Sequence, residues 1–128
     1  MSKNTSLQKV GIKPVNMKWY VTRGDSSSIR VQFLEQDEET SIDTSAWQFE
    51  ATAFNSKDQV FDDLEVRVEG NEIVITANSD ITEFWGTGIR TTVAELSFDL
   101  QAIIDPFTIW TPISGTIVVL GDVTGGRL

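Results

Sequence analysis

From Trp19 onward, apolar and polar positions alternate with a period of two, the signature of strands that bury one face and wet the other. Ile29, Val31 and Phe33 stand on one side of a segment whose other side carries Arg30 and Gln32. The pattern returns as Trp47, Phe49, Ala51 and Ala53 against Gln48, Glu50 and Thr52, and again as Leu64, Val66 and Val68 against Glu65, Arg67 and Glu69. Gly70-Asn71 then marks a two-residue hairpin leading into a partner strand over 73–77. Ala94, Leu96, Phe98 and Leu100 alternate with Glu95, Ser97 and Asp99. The last segment, 113–120, ends in Thr116-Ile117-Val118-Val119-Leu120, which is apolar on both faces and predicts a central or doubly covered strand. With a short strand at 19–22, this makes about seven strands in about 105 residues, the density of an antiparallel sandwich.

One place invites a helix. Asn78-Ser79 can cap one or two turns running through Asp80 to Trp85, and Gly86 can end them in a left-handed conformation. The connections carry the breakers: an acidic, polar stretch at 35–41, a tight polar turn at 55–58, and Asp105-Pro106 opening a loop. Pro112 is expected to delay the final strand, because proline cannot donate to a ladder. No segment repeats and no linker divides the chain. The reading is one all-β domain over 17–128, a single antiparallel β-sandwich, preceded by a flexible basic arm over 1–16.

Composition narrows the chemistry. At 128 residues a chain buries about two-thirds of its surface on folding, enough for one core without metals or crosslinks. The content of 40% apolar and 23% charged residues is that of soluble globular domains, and no apolar run is long enough to span a bilayer. With no cysteine and no histidine, thiol nucleophiles, serine–histidine triads, disulfides and thiolate or imidazole zinc sites are excluded. No cofactor and no metal is expected. Charge is unevenly spread: Lys3, Lys9, Lys13, Lys18 and Arg23 precede any acid, whereas the remainder is strongly acidic and the whole carries −9. An acidic body opposes binding along a phosphate backbone, so nucleic acid is not an expected partner. The basic arm either docks on an acidic neighbour, such as an adjacent copy, through Lys3, Lys9, Lys13 and Lys18, or stays a solvated terminus. Residues 1–16 lack the apolar stretch of a leader, so synthesis in the cytoplasm is expected.

Each motif has a plain structural reading. Arg23-Gly24-Asp25 spells an adhesion tripeptide but reads better as a glycine turn into the next strand. Asp37-Glu38-Glu39 and Asp62-Asp63 lack the spacing of a calcium loop and read as turn acids. Gly86-Thr87-Gly88 follows a helical turn and precedes a strand, the reverse of a dinucleotide-binding order. Paired carboxylates do acid–base work only when they share a cleft, which the pattern does not indicate, so no enzymatic activity is expected. Of the four tryptophans, Trp47 falls on the apolar parity of its strand and reads as core. Trp85 and Trp110, beside glycine or proline breaks, are expected to be partly exposed and are the candidate aromatic contacts for a ligand or partner.

At Arg23-Gly24-Asp25-Ser26 leading into Ile29-Arg30-Val31-Gln32-Phe33, followed by Ile42-Asp43-Thr44-Ser45-Ala46-Trp47-Gln48-Phe49-Glu50-Ala51, the chain resembles tailed-phage virion proteins with an immunoglobulin-like β-sandwich. The resemblance is to the N-terminal domains of phage baseplate upper proteins and related tail-fibre adaptors, and it covers roughly residues 19–123. It implies a non-enzymatic virion structural protein, a tail or baseplate adaptor, with other phage virion proteins as partners in many copies of a symmetric assembly. A capsid decoration (cement) protein is the near alternative. From another class, a host-glycan or receptor-binding module would use Trp85 and Trp110. Localisation is then the virion, after synthesis in the host cytoplasm, with no membrane partner.

Overall fold

A computed structural model describes residues 7–10, 15–34, 37, 39–40, 42–56, 59–86 and 92–121. Eight strands follow in order: β1 (Leu7–Val10), β2 (Val15–Thr22), β3 (Ser27–Phe33), β4 (Gln48–Asn55), β5 (Val60–Glu69), β6 (Glu72–Ala77), β7 (Thr92–Asp105) and β8 (Thr108–Leu120). A single helical turn, α1 (Ser79–Thr82), lies between β6 and β7. Asn78 is its N-cap as the sequence predicts, though without a side-chain cap bond; the turn ends at Glu83, short of the expected Trp85, and Gly86 takes the left-handed conformation, at φ 80, three residues on.

The strands form one sheet in the order β1-β3-β6-β5-β4-β7-β8-β2, nearly closed into a barrel. Closure depends on β5, which changes partner along its length. Leu64 and the residues before it pair with β4, whereas Glu65 to Glu69 pair with β6. The all-β expectation holds; the described strands are continuous through β5, and the two outermost pairings, β1 with β3 and β2 with β8, are parallel. Part of the segment read as an arm is described. Leu7–Val10 forms an edge strand and Val15-Asn16 opens β2, so the paired backbone reaches into the segment expected to be loose.

Alternation places the core. β3 buries Ser27, Ile29, Val31 and Phe33, and β4 buries Ala51, Ala53 and Asn55, each with less buried residues between. β6 and β8 complete the interior with Ile73, Ile75, Ala77, Ile113, Ile117 and Val119. At one end Phe33 packs against Trp47, Phe49 and Trp110, with ring centroids 5.7 to 5.9 Å away. Deeper in, Trp19 meets Phe98 edge-on and its Nε1 donates to Ser27 Oγ at 2.9 Å, which satisfies the indole inside the core. Trp47 is half-buried at the rim of this cluster and not enclosed.

Two local features explain how the chain turns. Gly70 has φ 64 at the first central position of the β5–β6 hairpin, where glycine avoids the Cβ penalty of a positive φ. Pro112 lies inside β8, contrary to the expectation that it would delay the strand. The register steps from Leu100–Ile113 to Ala102–Trp110, so Thr111 and Pro112 together oppose Gln101 in a bulge. A bulge leaves a backbone position outside the ladder, and proline's missing N–H is tolerated there.

The β2–β8 pairing has one tight point. A Cβ added at Gly115 would collide with the Met17 carbonyl oxygen and stand 2.9 Å from the Met17 carbonyl carbon, both backbone atoms that cannot swing away. Gly115→Ala is therefore expected to cost about 1–3 kcal/mol, read as a lower midpoint in thermal or urea unfolding, with no change in the hairpin at Gly70.

Candidate functional site

Among the described residues, the sequence-predicted contacts Lys18, Trp85 and Trp110 lie on β2, beyond α1 and on β8. Lys3 and Lys13 lie outside the described residues, as does the side chain of Lys9, although its backbone pairs with Gln32. Lys18 is exposed on β2, opposite Thr116. Trp110 is half-buried, packed on Phe33 and Trp47. Trp85 corrects the expectation of partial exposure: it is 2% exposed, and its Nε1 donates to Asp62 Oδ2 at 2.9 Å. Asp62 lies on the inward parity of β5 with Leu64, so it reaches the indole from the strand beside the α1 turn. Trp85 seals the core and offers no platform to a ligand.

The adhesion-like tripeptide is also built into the fold. Arg23 is buried and its Nη1 donates to the Gly86 carbonyl at 3.3 Å. Gly24 has φ 88, its N–H donates to Thr82 Oγ1 at 3.1 Å, and Thr82 Oγ1 donates to the Asp25 carbonyl at 2.8 Å. The buried hydroxyl of Thr82 thus clamps the β2–β3 turn to α1. The acid-rich loop behaves similarly. Asp37 accepts from the Thr40 hydroxyl and from the backbone N–H groups of Thr40 and Glu39, which hold its carboxyl below the usual range. Asp43 is held low by the N–H and hydroxyl of Ser45. These carboxylates stabilise their own turns.

Three surfaces remain. On the outer face of β3, β6 and β5, Arg30 bridges Glu69 and Glu72 at 3.2 and 3.0 Å, and Arg67 bridges Glu65 and Glu69. This face is occupied by its own ion pairs. The β7–β8 hairpin is different. The last β4 partner on β7 is Ile103 and the first β2 partner on β8 is Ile113, so the tip between them has no lateral strand among the described residues. There Asp105 Oδ1 accepts from the Phe107 N–H and sets the turn, Phe107 is 96% exposed and Ile109 is 61% exposed.

The third surface is the outer face of β2, β8, β7, β4 and β5. Phe54 and Phe61 stack there with centroids 4.4 Å apart, and Phe61 is 70% exposed. Both depart from strand parity: Phe54 follows inward Ala53, and Phe61 shares the outward parity of Asp63. That departure was readable in the sequence, as an aromatic on the polar side of two successive strands. Beside them lies Asp99, whose carboxyl is raised above its ordinary value by burial. Ionised Asp99 is thus disfavoured in the folded state, which costs stability above its folded pKa and nothing below the unfolded value of 3.8. Asp99→Asn is expected to raise the melting midpoint at neutral pH, and the gain should vanish as the pH falls below 3.8.

No family model and no curated protein matches the chain. Among solved structures it is similar to the N-terminal domain of phage TP901-1 ORF48, with 13% identity and a TM-score of 0.46 over 92% of this chain and 98% of that one. It is also similar to the cysteine protease inhibitor EhICP2 from Entamoeba histolytica, with 10% identity and a TM-score of 0.42 over 94% of this chain and 100% of that one. Neither likeness brings a site or an activity to this chain.

Proposed function

We propose that the chain is a non-enzymatic structural subunit of a phage virion, a tail or baseplate adaptor that docks on neighbouring subunits through its outer surface. The observation that carries this reading is the β7–β8 hairpin tip. A phenyl ring at 96% exposure beside an isoleucine at 61% adds nothing to the core, and rigid apolar anchors of this kind supply most of the binding energy where proteins meet. The phage assignment is supported by the resemblance carried by Arg23 to Phe33 and Ile42 to Ala51.

The finer fold assignment belongs to the same proposal. The order β1-β3-β6-β5 followed by β4-β7-β8-β2 is that of an immunoglobulin-like key, with β5 joining the two halves, β1 at the edge of one and β2 at the edge of the other. The parallel pairings of β1 and β2 are its departure from two wholly antiparallel sheets. Both are edge strands, and their unpaired backbone groups suit strand addition against a neighbour. The basic charge of Lys3, Lys9, Lys13 and Lys18 would meet an acidic neighbouring subunit, and weak contacts repeated around a symmetric assembly would add by multivalency.

The test is incorporation. Phe107→Ser combined with Ile109→Ser removes exposed side chains only, so circular dichroism and the melting midpoint should stay unchanged. In phage complemented with this variant, the amount of chain in gradient-purified particles should fall by at least about tenfold. Wild-type incorporation of the folded variant would overturn the reading.

A further inference from the structure

The outer face of β2, β8, β7, β4 and β5 is polar in a way that the opposite face is not. Strand register places Asn16, Ser114, Asp99 and Thr52 in one row across four strands, and Lys18, Thr116, Ser97, Phe54 and Phe61 in the next. Neighbours within a row stand about 5 Å apart. All of these but Lys18 line a depression of about 370 Å³, at the small end of ligand sites, with glycine at 115 contributing no side chain to its wall. Among the described residues no side-chain hydrogen bond occupies Asn16, Thr52, Ser97, Asp99 or Ser114. On the far face, by contrast, Arg30 and Arg67 are already paired.

We infer that this depression binds a neutral saccharide, with the Phe54–Phe61 pair stacking on a pyranose ring and the Asn16–Ser114–Asp99–Thr52 row hydrogen-bonding its hydroxyls. A sugar ring has an apolar C–H face and a rim of groups that both donate and accept. The site supplies the complement: an exposed phenyl for the face, a carboxylate that accepts, an amide that does both, and hydroxyls that adapt. Charge selects the class. Asp99, Asp63, Glu50 and Glu95 share this face against the single cation Lys18 among the described residues, so sulfated, phosphorylated or carboxylated glycans are repelled. A protein partner is less well matched, because the floor is hydroxyl and carboxylate where the centre of a protein interface is apolar. Burial also raises the Asp99 carboxyl above its ordinary value, so a ligand hydroxyl that donates to it would favour its ionised form.

The full chain would be titrated with neutral hexasaccharides of glucose, galactose and mannose while backbone amide shifts are followed, with a hyaluronan hexasaccharide as the anionic control. At least one neutral sugar should shift amides at Thr52, Phe54, Phe61, Asp99 and Ser114, and hyaluronan should not. Phe61→Ala and Asp99→Asn, at positions outside the core, should each weaken that binding by about tenfold with the fold unchanged. Shifts with none of the neutral sugars, shifts confined to the hairpin tip, or binding that survives both substitutions would overturn the inference. So would shifts of these same amides that grow with protein concentration alone, which would assign the face to a second copy.

Discussion

The architecture depends on one change of partner. β5 pairs with β4 up to Leu64 and with β6 from Glu65, so a single ten-residue strand joins two groups of strands that would otherwise be separate. Every inward row then faces another: Ile29, Val31 and Phe33 on one side, Ala51, Ala53, Leu100 and Ile117 on the other. The hydrophobic effect supplies the driving force, and β5 fixes which faces meet. The same joint sets the outside. Because side chains alternate, the register that buries Leu64 also turns Phe61 and Asp63 outward onto one face and Glu65 and Arg67 onto the other.

The two outer faces accordingly differ in chemistry. One carries exposed ion pairs, in which Arg30 and Arg67 engage three glutamates and which add little stability individually. The other leaves polar groups and a phenyl ring available to a ligand, and it carries Asp99 in a setting that disfavours its own charge. The hairpin tip repeats the pattern, with Phe107 and Ile109 held out by a turn that Asp105 sets. In each place side chains that add little to the core are held outward, and these are the two surfaces on which the proposals rest.

Much of the body was legible in the sequence. The alternations at Ile29–Val31–Phe33 and Phe49–Ala51–Ala53 name the buried faces of β3 and β4, Gly70-Asn71 names the hairpin, and Asn78 to Gly86 brackets the helical turn. Val15, Met17, Trp19 and Val21 also alternate with Asn16, Lys18 and Tyr20, so the first half of β2 carries the same strand signal beneath its basic charge. Pro112 misled because a bulge depends on the partner strand, and one strand's sequence does not show where its ladder skips. The burial of Trp85 was illegible because the acceptor of its indole N–H, Asp62, lies on a strand distant in sequence. The polar row on the outer face was illegible for the same reason: Asn16, Thr52, Asp99 and Ser114 become neighbours only once the register of four strands is known.

The central claim is that this β body acts by attachment to a phage particle. Quantitative mass spectrometry of purified particles tests it most directly. The account predicts the chain in every preparation at a fixed ratio of several copies per particle. Particles that lack the chain while the lysate contains it would contradict the account.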